Sequence, residues 1–350
     1  MYKKFFMGIA AMAALTLVSC SSDDLNSLSD NSSKNEAISF DSYLGRSAVA
    51  VNGTRGSVLD NTTLKDPANK GFGVFGNYKS TDDQEFGSNW FNNVQVTYDA
   101  SATPVWKYSP LKYWLPEGHI DFLAYAPYDS QYDNKVSKDN QKLDFVVNST
   151  IKNQKDLLWA NTTNKKKADK TVTFNFKHAL AKIGYTVTTN VVGTGTTITL
   201  NKITLAGSAP KDPLETAFYT KGTIDLSKTS SVGLWASPDP KDPKQNFVWV
   251  STDQPLSSDK VIETPNDNYL FVIPQNFTGT DELYVIVDYT INYNTGVQST
   301  MKSTVSSKLT KNFEQGKAYK INLTVGLTPI QFNAEVADWG NIDDNPITWE

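Results

Sequence analysis

The chain has 350 residues and a formal net charge of −4, from 33 basic and 37 acidic side chains. The two signs are mixed along the sequence, and no basic cluster reaches the density that nucleic-acid binding requires, so we expect no nucleic-acid partner. Cys20 is the single cysteine, which excludes a disulfide within the chain.

The N-terminal segment has the pattern of an exported protein. Two lysines precede the uncharged apolar stretch 5–18, which is too short for a transmembrane helix and predicts a signal peptide over residues 1–19. The stretch ends in Leu17-Val-Ser-Cys, which resembles the lipobox of bacterial lipoproteins, where the cysteine is acylated and becomes the new N-terminus. We therefore expect lipidation at Cys20; an ordinary secretory signal is the alternative.

Residues 20–36 are predicted to be a flexible, lipid-anchored tether, because Ser, Asp and Asn cannot bury enough apolar surface to fold. Asp23 and Asp24 resemble the acidic signal that carries some lipoproteins to the outer face of the outer membrane; a simply polar tether is the alternative. If Cys20 is acylated, no free thiol is left, which excludes cysteine-bound zinc and thiol catalysis.

From Ile38 onward, apolar residues alternate with polar ones, as in β-strands with one buried face. Clusters of Asn, Asp, Gly and Pro separate these runs, and no stretch with helical periodicity exceeds two turns. The sequence therefore predicts an all-β protein built from antiparallel sheets. The clearest alternating runs are Val172–Phe176, Leu283–Tyr293, Ile321–Val325 and Ile330–Val336.

The length of the folded part favours two β-sandwich domains in tandem over one. We predict an N-terminal sandwich over residues 37–190, which includes the run 171–188, and a C-terminal sandwich over residues 191–350. The boundary is placed near Asn190, because the following residues are rich in turn formers.

The sequence contains no constellation that points to catalysis. His119 and His178 are far apart and lack the spacing of a metal site, so both are predicted to be turn or sheet-edge residues. No nucleophile elbow and no phosphate-binding loop is present. We expect no enzyme, no metal and no cofactor, although a pair of carboxylates brought together by the fold, as in glycoside hydrolases, stays open.

The tryptophans divide into two predicted groups. Trp106, Trp114 and Trp159 lie within apolar runs and are predicted to be core residues. Trp90 and Trp235 lie beside polar or proline-rich segments and are the candidates for exposed contacts with a ligand such as a sugar.

Several stretches, taken in order, resemble one family. They are Ala37-Ile-Ser-Phe, Thr54-Arg-Gly, Lys70-Gly-Phe-Gly-Val-Phe, Lys112-Tyr-Trp-Leu-Pro, Ile120-Asp-Phe-Leu-Ala-Tyr-Ala-Pro, Phe176-Lys-His-Ala-Leu-Ala-Lys-Ile, Leu270-Phe-Val-Ile-Pro-Gln, Phe313-Glu-Gln-Gly-Lys-Ala-Tyr-Lys-Ile-Asn-Leu-Thr-Val and 330–339. Together they are similar to the fimbrillin family, the lipoprotein-derived subunits of type V pili.

The resemblance implies two transthyretin-like β-sandwich domains and assembly by strand exchange with other pilin subunits. In such pilins the first strand fills a groove in its own sandwich until an arginine-specific protease releases it. The C-terminal strand of a neighbouring subunit then occupies the groove. The resemblance thus implies a cell-surface fimbrium that supports adhesion, with its lipid anchor in the outer membrane.

The residues that this assembly needs are present. The candidate acceptor strand is 37–44, with Ile38 and Phe40 on one face. Arg46 and Arg55 are the only arginines in the chain and both follow that strand. Arg46 is the preferred processing site because it directly ends the strand; two solvated linker arginines are the alternative.

The candidate donor strand comes from the C-terminus. Its apolar residues are Ile330, Phe332, Ala334, Val336, Ile342, Ile347 and Trp349. The alternative to a pilus subunit is a monomeric surface lipoprotein that binds glycans or host ligands.

Overall fold

A computed structural model describes residues 36–44, 58–80, 89–137, 139–193, 195–250, 253–265, 267–296, 298–327 and 331–338. Within these ranges β-strands predominate and no helix is long and apolar enough to cross a membrane. The prediction of an all-β protein is confirmed. The predicted signal peptide, Cys20 and the tether up to residue 35 lie outside the described residues. The described helices are short 3-10 turns: Thr63–Lys65, Pro67–Asn69, Ser130–Tyr132, Ile151–Asn153 and Lys167–Asp169.

The first half of the chain builds one seven-stranded sheet. The first eight strands are β1 (Ser39–Leu44), β2 (Phe72–Lys79), β3 (Asn89–Tyr98), β4 (Trp106–Lys107), β5 (His119–Ala126), β6 (Lys142–Val146), β7 (Leu158–Lys165) and β8 (Thr171–His178). All except β6 join this sheet, in the order β1-β8-β7-β5-β2-β3-β4. Its pairs are antiparallel, apart from β1 and β8, which run parallel.

The second half forms smaller sheets. Its strands are β9 (Ala181–Thr189), β10 (Thr196–Ala206), β11 (Phe218–Tyr219), β12 (Lys221–Asp225), β13 (Lys244–Gln245), β14 (Phe247–Val250), β15 (Gln254–Leu256), β16 (Ile262–Glu263), β17 (Leu270–Val272), β18 (Gln275–Asn276), β19 (Tyr284–Tyr293), β20 (Ser299–Lys308), β21 (Asn312–Phe313), β22 (Lys317–Val325) and β23 (Gln331–Asp338). One sheet has the order β14-β10-β19-β20, with β15 also on β10. A second has the order β16-β9-β22-β23, with β17 also on β9. The pairs β6-β12, β11-β13 and β18-β21 complete the arrangement.

The run 171–188, which the sequence places in the first domain, is two strands in different sheets. Strand β8 belongs to the seven-stranded sheet, whereas β9 pairs with β16, β17 and β22. The sheet partner therefore changes between His178 and Ala181, ahead of the predicted boundary near Asn190. Alternation of apolar residues cannot reveal this change, because the same pattern suits either sheet. The division into two domains stays a prediction.

The seven-stranded sheet curves around an aromatic core. Strands β1 and β4 stand at opposite ends of its strand order, yet they are in contact. The sheet therefore closes on a cluster of buried side chains that includes Phe72, Phe122 and Phe174. Trp106 and Trp114 lie in the same cluster, which confirms their predicted core positions.

A second core lies between the other face of this sheet and the strands of the second half. Phe75, Tyr125 and Trp159 of the seven-stranded sheet contribute to it, so Trp159 is also a core residue, as predicted. Strand β5 separates the two cores and is buried on both faces along its whole length. This explains why β5 lacks the alternation that a strand with one solvated face would show.

A buried polar cluster lies near the change of sheet. Asp156 is fully buried, and its Oδ2 atom accepts a hydrogen bond from the Leu59 amide (3.1 Å) and lies 2.7 Å from Nδ1 of His178. The Lys182 ammonium group lies nearby on β9, 4.8 Å from the centre of the Tyr269 ring. Burial lowers the pKa of Lys182 to about 8, and the negative charge of Asp156 opposes this shift.

The lowered pKa of Lys182 predicts a pH-dependent stability. Between about pH 8 and 10.5 the unfolded chain holds the Lys182 proton more tightly than the folded chain. The free energy of unfolding should therefore rise with pH, by about 2 kcal/mol from pH 8 to pH 10. As the pH falls back through this range to about 8, the added stability is lost. Chemical denaturation at several pH values should show the rise in the wild type and a flatter profile in Lys182→Met. An identical slope in both proteins would contradict this assignment.

Candidate functional site

Strand β1 inserts an apolar face into the first core. The exposed fraction is 2% or less for Ile38, Phe40 and Leu44. Asp41 and Tyr43, on the opposite face, are exposed. The expectation that Ile38 and Phe40 face the same way agrees with their burial. The alternation of the sequence thus places one face of β1 in the core and the other in solvent.

The Phe40 side chain is surrounded by aromatic rings. Its ring centre lies 5.3 to 5.7 Å from the centres of four others, in edge-on, tilted and stacked arrangements. We call this pocket, together with the backbone on either side of β1, the β1 groove. The four rings belong to Phe91, Tyr108, Phe122 and Phe174.

The backbone of β1 pairs with β8, and the residues just ahead of β1 pair with a second segment. Strand β1 runs parallel to β8, from Ser39 opposite Thr171 to Leu44 opposite Phe176. Just ahead of β1, Ala37 forms an antiparallel bridge with Tyr113, and the Ile38 amide donates to the Lys112 carbonyl oxygen (2.8 Å). Strand β1 is therefore the end strand of the sheet beside β8, and segment 112–114 holds the residues just ahead of it.

Tyr108 adds a side-chain contact near the start of β1. Its hydroxyl group donates to the carbonyl oxygen of Ile38 at 2.7 Å. Burial raises the pKa of Tyr108 to about 12, so the hydroxyl stays protonated and able to donate at physiological pH. The N-terminal end of the strand is thereby held through main-chain atoms.

Asn61 holds the other end of β1. Its side-chain oxygen accepts from the Leu44 amide at 2.9 Å, and its side-chain nitrogen donates to the Leu44 carbonyl oxygen at 2.7 Å. We call this pair of bonds the Asn61 clamp. Asn61 could not be recognised from the sequence: Asp60 and Asn61 suggest a turn, but a turn signal does not reveal which distant backbone the Asn61 amide contacts.

The two candidate processing sites belong to the segment that links β1 to the turn of Asn61. Arg46 and Arg55 lie outside the described residues, between Leu44 and Val58. Leu59 and Leu64, which follow this segment, are buried in the same core as Phe40. Both described ends of the linking segment are therefore anchored to the body of the protein.

The candidate donor segment is only partly described. Strand β23 pairs antiparallel with β22, with Gln331 opposite Thr324 and Asp338 opposite Lys317. Ala334 is buried and Val336 packs against the second core, so both apolar side chains already have partners in their own sheet. For Phe332 only the backbone position in β23 is described. The remaining donor residues, Ile330, Ile342, Ile347 and Trp349, lie outside the described residues.

The prediction that Trp90 and Trp235 offer exposed contacts is wrong, because both are partly buried. Trp235 packs against Phe145 with ring centres 6.2 Å apart, and its indole nitrogen donates to the Ala179 carbonyl oxygen at 2.7 Å. Trp90 packs against the first core. Their polar sequence surroundings misled the prediction, since each indole covers apolar neighbours.

The described part of the chain offers no evident centre for metal chemistry. Within it, no group of three or more His, Cys, Asp or Glu side chains is placed to hold an ion. His119 and His178 stand at the first residue of β5 and the last residue of β8, and both are buried. The candidate functional site is the β1 groove.

Fold and groove together define an all-β protein whose first described strand, at one end of a curved sheet, inserts its apolar face into the aromatic core. A family model described as fimbrillin-like matches residues 58–339. The chain therefore belongs to the fimbrillin-like family, and the resemblance found in the sequence is confirmed.

Solved structures with a similar fold come from species of Bacteroides and Parabacteroides. A fimbrial protein from Bacteroides vulgatus is 22% identical with a TM-score of 0.64, over 87% of this chain and all of that one. A candidate cell adhesion protein from Bacteroides ovatus is 15% identical with a TM-score of 0.52, over 89% of this chain and 99% of that one. A counterpart from Parabacteroides distasonis is 10% identical with a TM-score of 0.50, over 89% and 98%. Among curated proteins, no match was found.

Proposed function

We propose that this protein is a structural subunit of a cell-surface type V pilus, exported as a lipoprotein and polymerised by protease-triggered strand exchange. The observation that carries the proposal is the occupied β1 groove. Its occupant, β1, is joined to the rest of the chain through the segment that contains the only two arginines. Membership of the fimbrillin-like family supports the same conclusion.

The apolar lining of the groove and the edge of β8, unpaired once β1 has left, favour exchange of the β1 strand over its simple loss. Removing β1 would expose the rings around Phe40 and leave one side of β8 without a hydrogen-bonded neighbour. An apolar groove of this kind favours any strand that buries its rings, at about 25 cal/mol per Å2 of apolar surface, and that pairs with its backbone. A strand from a second subunit meets both needs.

The donor in this proposal comes from the C-terminal end of a neighbouring subunit. Ala334 is buried and Val336 is partly buried against the second core, so using β23 as the donor requires β23 to leave β22 first. The tail 340–350 lies outside the described residues, and Ile342, Ile347 and Trp349 are its apolar residues. We assign the donor role to residues 330–336 together with this tail.

The remaining parts of the proposal concern export and organisation. Residues 1–19 direct secretion, and acylation of Cys20 attaches the subunit to the outer membrane until an arginine-specific protease cuts after Arg46 or Arg55. The two sandwich domains are transthyretin-like, and the assembled fimbrium supports adhesion. A monomeric surface lipoprotein that binds glycans or host ligands is the competing function.

Arginine-specific proteolysis of the purified protein tests the proposal. We expect the cut protein to lose its N-terminal fragment and to form ladders on unboiled gels. The double variant Arg46→Gln/Arg55→Gln is the matched control and should stay uncut and monomeric, while each single variant identifies the site that is used. A protein that is cut, loses β1 and stays monomeric would favour the competing function.

A further inference from the structure

We propose that Asn61 is a positioning residue that retains β1 in its groove after the chain has been cut at Arg46 or Arg55. This inference rests on the proposed function, since it describes how the strand is kept until it is exchanged. It assigns a specific task to a side chain that the family resemblance did not point to.

The first reason is where the clamp lies relative to the cut. Leu44 precedes both arginines and Asn61 follows them. Cleavage at either arginine therefore puts the two partners of the clamp on different fragments. The covalent link at this end of β1 is lost, and the two hydrogen bonds between Asn61 and Leu44 still connect the fragments.

The second reason is that Asn61 is fixed without the linking segment. The Asp60 carboxylate accepts hydrogen bonds from the amides of Thr62 (2.8 Å) and Thr63 (2.6 Å). The Leu59 amide donates to the buried Asp156, and the Leu59 side chain is itself buried. These contacts all lie on the C-terminal side of the cut, so the turn that presents Asn61 should survive cleavage.

The third reason is the chemistry of the contact. A side-chain amide that accepts from the N–H and donates to the C=O of one residue reproduces the two bonds that a residue in a neighbouring antiparallel strand would make. Asn61 thus takes the place of a strand neighbour where the pairing of β1 ends. It supplements the contacts of Tyr108 and of segment 112–114 at the opposite end of β1.

The release rate of the cut N-terminal fragment tests the clamp. The full chain, labelled with a fluorophore on its N-terminal amine, is cut with an arginine-specific protease and diluted into an excess of unlabelled peptide 36–46, and release is followed by fluorescence anisotropy. Two hydrogen bonds are lost in Asn61→Ala, so its fragment should leave about ten to a hundred times faster than the wild-type fragment. An equal rate in the two proteins would overturn the clamp.

Asn69→Ala is the matched control. Its side chain donates to the Thr63 carbonyl oxygen at 2.7 Å within the same turn region. If Asn61 acted only by stabilising this region, Asn69→Ala would speed release as well. We expect its release rate to stay close to that of the wild type, and a matching acceleration would overturn the assignment.

Different experimental results would contradict the Asn61 clamp and the proposed function. Ladders from the wild type together with unchanged release from Asn61→Ala would remove the clamp and leave strand exchange standing. Faster release from Asn61→Ala without any ladder from the wild type would remove strand exchange and leave the clamp standing. If neither arginine is cut, hydrogen exchange at the Leu44 amide of the intact protein tests the clamp instead. In Asn61→Ala this amide should exchange about ten times faster or more than in the wild type, and an unchanged rate contradicts the clamp.

Discussion

Phe40→Ala is expected to lower the free energy of unfolding by about 3 to 5 kcal/mol, the usual cost of truncating a fully buried phenylalanine. The Phe40 side chain is 2% exposed and contacts four aromatic rings, three on strands β3, β5 and β8 and the fourth on Tyr108, just after β4. Its loss leaves a cavity that these rings cannot close without moving. Urea denaturation followed by tryptophan fluorescence measures the change.

Tyr43→Ala is the matched control for Phe40→Ala, because Tyr43 lies on the opposite face of the same strand and is 49% exposed. Its removal should change the free energy of unfolding by less than about 0.5 kcal/mol. If both variants destabilise the protein equally, β1 contributes through its backbone alone and the aromatic groove is not its main support.

Phe40→Ala is expected to lower the stability of the protein without slowing its assembly. After cleavage, a strand that lacks the Phe40 ring should leave the groove faster, whereas the groove itself keeps its rings and can still accept a neighbour's strand. We therefore expect the variant to assemble at least as fast as the wild type once both are cut.

Asp156→Ala should be the second strongly destabilising variant, with a loss of about 3 to 5 kcal/mol, as for other broken buried polar pairs. The fully buried carboxylate bonds the Leu59 amide and His178, and removing it leaves both donors without this acceptor. Differential scanning calorimetry should show a lower Tm. A Tm within experimental error of the wild type would show that water or a neighbouring group replaces the carboxylate.

Asp99→Ala is the control for the loss of an acidic residue. The Asp99 side chain is 37% exposed, and hydrogen bonds from Lys107 and Ser101 hold the pKa of its carboxyl group well below the usual range. An exposed ion pair of this kind adds little to stability, so the Tm should hardly change. A comparable fall in Tm for both variants would point to net charge rather than to the buried cluster.

The sequence predicted which residues are buried better than it predicted which strands are neighbours. Alternation in the run 171–176 identified β8 and the face that it buries, because one solvated face imposes a period of two. The same alternation contains no information on pairing, so neither the parallel contact of β1 with β8 nor the move of β9 to another sheet was foreseen. Strand pairing depends on contacts between residues that are distant in sequence.

The candidate site was likewise predicted in part. Ile38 and Phe40 were identified because β1 alternates, and the positions of Arg46 and Arg55 were evident because no other arginine exists in the chain. Asn61 was missed because its partner is the main chain of Leu44, which any residue type would provide. Contacts to backbone atoms leave no pattern in side-chain composition.

The parallel pairing of β1 also bears on how the protein folds. Ser39 meets Thr171, which lies 132 residues further along the chain, so β1 cannot dock until almost the whole sheet has been synthesised. Closing so long a loop is slow in comparison with forming the hairpins among the strands between them. We therefore expect β1 to be among the last strands to join a sheet that has already taken shape. A strand that joins a nearly finished structure can also be withdrawn while most of that structure stays intact.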